Sequence, residues 1–213
     1  SDVVIIGSAP EVFIKDRLSN NKLTFRYSER IFKKGRWRIF SPRMVRSLLL
    51  NHTRYINKKL YMLCASAYTA SDFAMCGAYV GKTYKWGYFP RVVEYDIDKL
   101  MEKKQHPHVE ILWCGRFIEL KHPELAIMAA QKLKEDGYSF CLTFIGNGPL
   151  ENTIKELAVE YGLKDRITFL GVMSPEKVRE HMEKTNIYLF TSDFNEGWGA
   201  VLNEAMNSAC AVV

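Results

Sequence analysis

From residue 109 onward, short apolar runs recur every 20 to 30 residues: 109–114 (VEILWC), 140–145 (FCLTFI), 167–170 (ITFL), 187–190 (IYLF) and 210–213 (CAVV). Runs this short, rich in β-branched and aromatic residues, predict strands buried on both faces. Between them, 123–136, 149–161, 174–184 and 199–208 carry helical spacing. Ser174-Pro175-Glu176 adds an N-cap and N1 signal to the third of these helices. Strand and helix alternating at this period predict βαβ units, hence a parallel sheet with right-handed crossovers.

The first half is less regular. An apolar run, VVII, near the N-terminus predicts a strand covered on both faces and leading into the turn Gly7-Ser8-Ala9-Pro10. A short helix over 10–18 and a strand over 24–27 follow. Ser41-Pro42 predicts a helix start, and apolar Met44, Val45, Leu48, Leu49, Tyr55 and Ile56 carry that helix to about Lys59. Further on, 60–65 (LYMLCA) predicts a strand, 66–78 a short helix starting near Ser71, and 85–90 (KWGYFP) a third strand. The charged stretch 93–108 lacks an apolar period and predicts an inter-domain connection. The fold class expected is therefore α/β, with two Rossmann-like domains at 1–92 and 109–213 whose parallel sheets are flanked by helices. A first strand at residue 3 without an upstream partner, and a last strand ending at Val213, are expected of an incomplete first domain and a truncated second one.

Composition narrows the class. The chain has 213 residues, 47% of them hydrophobic, enough for a packed core. Its N-terminus has neither the basic region nor the apolar length of a signal peptide, and no apolar run reaches membrane-spanning length, so a cytoplasmic protein is expected. Cys64, Cys76, Cys114, Cys141 and Cys210 are odd in number and lack CxxC spacing, which reads as reduced core thiols. The net charge of +6 is concentrated. Segment 26–59 holds 11 basic residues and one acid, Glu29, beside the aromatic residues Trp37 and Phe40. Such a stretch is either a solvated face or a surface for an anionic membrane.

In a parallel sheet, ligands bind beyond the carboxyl ends of the strands. The loops expected there contain Gly115-Arg116, Gly146-Asn147-Gly148-Pro149, Gly171-Val172-Met173-Ser174 and 192–199, each with glycine. Arg116 and Lys121 can clamp the oxygens of a diphosphate, or stand as surface cations near a helix end. Gly197 and Gly199 open a helix whose free N–H groups suit a phosphate, with Glu196 in the loop and Glu204 eight residues further along. Neither a complete GxGxxG nor a GK[ST] follows any predicted strand, which disfavours dinucleotide dehydrogenases and P-loop NTPases.

Four stretches taken together, ILWCGRFIELKHPELAI, LTFIGNGPLENTIKELA, ITFLGVMSPEKV and IYLFTSDFNEGWGAVLNEAM, resemble in order and spacing the C-terminal domain of glycosyltransferase family 4, retaining enzymes of the GT-B fold. The resemblance covers roughly 109–213 and rests on an EX7E element together with GR-x4-K. It implies that Arg116 and Lys121 bind a donor diphosphate, that Glu204 binds the ribose hydroxyls, and that Glu196 contacts the transferred sugar. The amides of Gly197, Trp198 and Gly199 would lie against sugar or phosphate. Gly146 and Asn147, with the backbone of Val172 and Met173, would line the nucleotide site. It also implies a nucleotide-diphosphate sugar, UDP-linked in the leading reading, as donor, and a polysaccharide or lipid-linked acceptor. No metal or other cofactor is implied, and nucleic acid is not among the expected partners. The basic segment 26–59 allows a peripheral location at the inner face of the plasma membrane. An epimerase or phosphorylase of the same fold, or a noncatalytic binding module, remain as alternative readings. The chain departs from the family in two places. Ala209 and Ala211 stand where family members usually have Gly and Pro, which predicts a different turn there, and the family's N-terminal glycine-rich loop has no counterpart. None of His52, His106, His108, His122 and His181 stands out as an acceptor-side histidine.

Overall fold

The structure is a computed structural model that describes residues 1–7 and 9–213; Ser8, and with it part of the turn expected at 7–10, lies outside the described residues. The chain divides into two compact units, Ser1–Tyr88 and Phe89–Val213.

In the first unit, β1 (Val4–Ile6), β2 (Thr24–Ser28), β3 (Leu60–Cys64) and β4 (Thr83–Lys85) form a parallel sheet in sequence order. Strands added one after another by right-handed crossovers leave their helices on one face. Accordingly α1 (Val12–Ser19), α2 (Pro42–Asn51) and α3 (Thr69–Ala74) share a single core, built on Ile6, Ile14, Leu18, Leu48, Leu60, Met62 and Phe73. Residues of opposite parity point away from it. Phe25 lies 5.6 Å from Tyr61 and 6.1 Å from Tyr84, ring centre to ring centre, while Ile5 is 58% exposed. The expectation that VVII is covered on both faces therefore fails, because β1 is an edge strand on a sheet covered on one side.

Two boundaries also differ from the pattern. The helix expected to reach Lys59 stops at Asn51, where His52 leaves helical geometry and a 3-10 turn, Thr53–Tyr55, takes over. His52 turns inward, accepting or donating a 2.8 Å hydrogen bond with the Tyr79 hydroxyl. Burial, reinforced by the Arg26 guanidinium, lowers its pKa to about 3, so the ring is neutral at physiological pH. The strand expected at 85–90 lies at Thr83–Lys85 instead, since the register with β3 ends at Lys85 beside Cys64.

The second unit holds α4 (Ile97–Glu102), β5 (Val109–Cys114), α5 (Pro123–Glu135), β6 (Phe140–Ile145), α6 (Glu151–Glu160), β7 (Ile167–Phe169), α7 (Pro175–Lys184), β8 (Ile187–Tyr188), α8 (Ala200–Asn207) and β9 (Ala211–Val212). The segment expected as a connection thus contains a helix, capped by the Asp96 carboxylate accepting from the Lys99 N–H. Its strands run parallel in the order β7-β6-β5-β8-β9. The parity of β5 separates two cores. Ile111 and Trp113 pack with α5 and α6, whereas Leu112 packs with Met182 of α7 and Ala205 of α8. This is the α/β class expected, with parallel sheets flanked by helices.

The end of α8 corrects the expected turn. Ala209 adopts φ 55°, the left-handed conformation that glycine takes without strain. The Cys210 N–H donates to Ala205 O at 3.0 Å and the Ala209 N–H to Met206 O at 3.0 Å, the paired bonds of a Schellman cap. Alanine therefore keeps the turn that a glycine would make, and the strain falls on its Cβ. Ala209→Gly should stabilise the protein by about 1 kcal/mol. Urea denaturation followed by circular dichroism will read this as a higher midpoint at unchanged slope.

Candidate functional site

The strand order itself creates a crevice. After β5 the chain winds outward through α5 and α6 to β7, then α7 carries it back to β8 on the other side of β5. Loops leaving β5 and β8 therefore diverge, and ligands of parallel α/β sheets bind in the gap so formed. The loop after β5 carries Arg116 and Lys121; the loop after β8 carries Glu196, Gly197, Trp198 and Gly199.

Hydrogen bonds join these two loops. Trp113 Nε1–H donates to Thr191 Oγ1 at 2.9 Å, and that hydroxyl donates to the Lys121 carbonyl at 2.5 Å. The Asp193 N–H reaches Leu120 O at 3.1 Å. Across this seam the Lys121 ammonium forms an ion pair with Glu196 Oε2, both side chains being partly buried. Burial alone would raise the Glu196 pKa, but the hydrogen bond and charge of Lys121 outweigh it and hold the carboxyl below its ordinary value. The Gly197 N–H also points at Glu196 Oε1, at 3.3 Å.

Arg116 is exposed and makes no ion pair among the described residues. The cationic pair expected from the sequence is thus asymmetric, with Lys121 held by a carboxylate and Arg116 free to meet an anion. Glycine is obligatory at two positions around them. At Gly146, φ 128°, a Cβ would stand 1.9 Å from Gly115 O, so the loops after β5 and β6 touch backbone to backbone. Gly199, φ 69°, opens α8 with the Phe190 ring 2.6 Å from where its Cβ would be. Asn147 uses its carbonyl to accept the Phe117 N–H at 2.9 Å, fixing the same junction. Val172 is exposed in the loop after β7, and Met173 packs on the core shared by α7 and α8. Trp198 Nε1–H bonds to Asn203 Oδ1 at 2.9 Å, which ties the loop to the first turns of α8.

Glu204 lies on α8, half-exposed, with Oε1 3.8 Å from an Arg179 Nη2. Burial and then the Glu204 charge push the Cys114 thiol up to about 11, which puts this carboxylate beside the end of β5. Arg179 escaped sequence reasoning. It also donates to Asn207 Oδ1 at 2.8 Å and to Arg91 O at 3.0 Å, and so sets where α8 lies. His122, which the sequence does not single out, occupies the N-cap position of α5 in left-handed geometry, with Nδ1 2.7 Å from Glu124 and Nε2 3.8 Å from Asp193. The Glu124 hydrogen bond, against slight burial, raises its pKa.

Residues 96–213 match the family described as glycosyl transferases group 1. The chain belongs to that family. It is 31% identical over 113 residues to the amylovoran biosynthesis glycosyltransferase AmsK of Erwinia amylovora, a match covering 51% of this chain and 28% of the relative. The chain spans about a quarter of the length of the curated relatives it matches. Among solved structures, Anabaena Alr3699/HepE in complex with UDP aligns over 98% of this chain and 58% of its own, with TM-score 0.67 at 15% identity. Sucrose-phosphate synthase of Thermosynechococcus elongatus aligns over 99% of this chain and 55% of its own, with TM-score 0.66 at 18% identity. These likenesses show that the group 1 domain and the unit before it share the fold of those proteins. The loops leaving β5 and β8 and the EX7E glutamates fall within the matched residues.

The ion pair has a pH signature. Because the folded pKa of Glu196 lies below its ordinary value of 4.5, the pair contributes stability above that pH and loses it as pH falls through the lowered value. Glu196→Gln should cost about 1 kcal/mol or less at neutral pH, with the difference vanishing in acid. Urea midpoints of both proteins across an acid series will test this, and a gap that persists below the folded pKa would contradict it.

Proposed function

We propose that this chain carries the donor site of a retaining glycosyltransferase that moves a sugar from a nucleotide diphosphate, UDP in the leading reading, to a polysaccharide or lipid-linked acceptor. The observation that carries the reading is the convergence of Arg116, Lys121, Glu196 and the opening of α8 on the crevice between β5 and β8. Family membership supports transfer chemistry, the UDP-bound neighbour supports the nucleotide, and the amylovoran enzyme supports a polysaccharide product.

In this reading the bond between the anomeric carbon and the diphosphate oxygen breaks, leaving positive charge on the sugar ring and an added negative charge on the diphosphate. Arg116, Lys121 and the helix N-terminus stabilise that negative charge without a metal ion or other cofactor. An arriving diphosphate competes with Glu196 for Lys121, so donor binding releases the Glu196 carboxylate toward the sugar. Glu204 accepts from the ribose hydroxyls, and the amides of Gly197, Trp198 and Gly199 face sugar or phosphate. Gly146, Asn147, Val172 and Met173 line the nucleotide. Isothermal calorimetry with UDP should show binding that weakens about tenfold or more, roughly 1.4 kcal/mol, in Arg116→Ala and in Glu204→Ala. Unchanged affinity in both variants would sink the assignment.

The same reading places the protein at the cytoplasmic face of a membrane, through its basic segment 26–59. No helix among the described residues is long and apolar enough to cross a membrane. A peripheral contact is supported by Trp37, 68% exposed, and Phe40, 85% exposed, beside α2. A shallow apolar groove along that helix is lined by Pro42, Val45, Arg46, Leu49 and Leu50. Aromatic side chains flanked by arginines suit the headgroup region of an anionic bilayer. Co-sedimentation should show binding to vesicles containing an anionic lipid and little to neutral ones. Arg43→Gln with Arg46→Gln should reduce it roughly tenfold or more at low salt. Equal pelleting of the double variant would remove the basic helix from the contact.

A further inference from the structure

We propose that His108, Glu110 and Cys141 form a zinc-binding site at the amino-terminal edge of the second sheet, at the opposite ends of the strands from the donor crevice. Strand geometry brings the three together. His108 immediately precedes β5 and Glu110 lies two residues on, so both project from one face. In the parallel register Glu110 pairs with Cys141 of β6, which places the thiol beside the carboxylate on that same face.

The resulting donor atoms, an imidazole nitrogen, a carboxylate oxygen and a sulfur, all lie within 4.8 Å of one another. His108 Nε2 is 2.8 Å from Glu110 Oε1, so the ring already aims its nitrogen at the carboxylate. A cation seated among the three takes the place of the proton shared by that pair. The donor set selects the metal. Calcium and magnesium take oxygen ligands, whereas zinc accepts nitrogen, oxygen and thiolate together. Three protein ligands leave the fourth tetrahedral position to water.

The surroundings hold the cluster in place. The Glu110 N–H donates to Asn186 Oδ1 at 2.9 Å, and Asn186 Nδ2–H donates to Lys104 O at 2.9 Å. The rings of His106 and His108 lie stacked, 6.2 Å apart. All three ligating residues are half-buried, shielded yet reachable from solvent. Coordination exchanges the thiol proton of Cys141 for the metal and releases it to water. Ion binding at this position clips β5 to β6 where the strands begin, and so adds stability rather than chemistry to the sugar-transfer reading, on which it does not depend.

The test uses the whole chain freed of metal by a chelator and then titrated with zinc chloride against a chromogenic zinc indicator. One zinc per chain is expected, bound at least about tenfold more weakly by Cys141→Ser and by His108→Gln. Cobalt(II) substitution gives a second readout. A sulfur-to-cobalt charge-transfer absorption should appear in the unaltered protein and in Cys76→Ser, and disappear in Cys141→Ser. Circular dichroism checks that each variant is folded; should Cys141→Ser be unfolded, His108→Gln with zinc affinity as readout decides. Absence of saturable zinc binding, or affinity unchanged in the folded variants, would overturn the site.

Discussion

The second unit depends on β5 being buried on both faces. A strand reading VEILWC offers apolar side chains of either parity, and neither set can be left in water without losing roughly 1.5–3 kcal/mol per large side chain. Helices must therefore lie on both sides of the sheet. That requirement sends the chain outward through α5 and α6, and back through α7 to the far side of β5. The reversal opens the crevice between β5 and β8, so the site is a by-product of how the core is closed. The first unit lacks this constraint. Among the described residues its strands are added in sequence order, with the helices sharing one core.

At the crevice the electrostatics are arranged before any ligand arrives. Lys121 and Glu196 neutralise each other in a partly buried position, where leaving either alone would cost desolvation energy. Thr191, held by Trp113, fixes the backbone of Lys121, and Gly146 lets the neighbouring loop approach closely enough to support it. Arg116 contributes the uncompensated positive charge. An anion entering here meets one free guanidinium and one lysine that can exchange partners, a combination that favours a multiply charged oxyanion over a single carboxylate.

The two ends of the same strands carry different chemistry for a geometric reason. At the carboxyl ends, glycine-rich loops and the start of α8 supply amides and cations. At the amino ends, parallel register sets side chains of neighbouring strands next to each other, and at Glu110 and Cys141 that adjacency gathers metal-binding donors with His108. Stability and ligand binding can thus be adjusted at separate ends of one sheet.

Much of this was legible in the sequence because it depends on local period. The five strands and four helices from β5 onward follow apolar spacing and Ser-Pro or glycine punctuation, and the loops at their carboxyl ends could be named at once. EX7E and GR-x4-K placed Glu196, Glu204, Arg116 and Lys121 on those loops and on α8. Where burial was one-sided or the period short, the reading failed: Ile5 faces outward, α2 stops at Asn51, and α4 lies in a stretch expected to be a connection. Ala209 takes a glycine's conformation because the Schellman bonds around it outweigh its intrinsic preference. The sequence by itself therefore determined the order of elements, the class of sheet and the loops at the carboxyl ends of its strands. Tertiary structure alone decided the strand order, the Lys121–Glu196 pair, the support from Arg179 and the meeting of His108, Glu110 and Cys141. Each of these joins residues brought together by strand register or chain reversal, and no local period encodes such contacts.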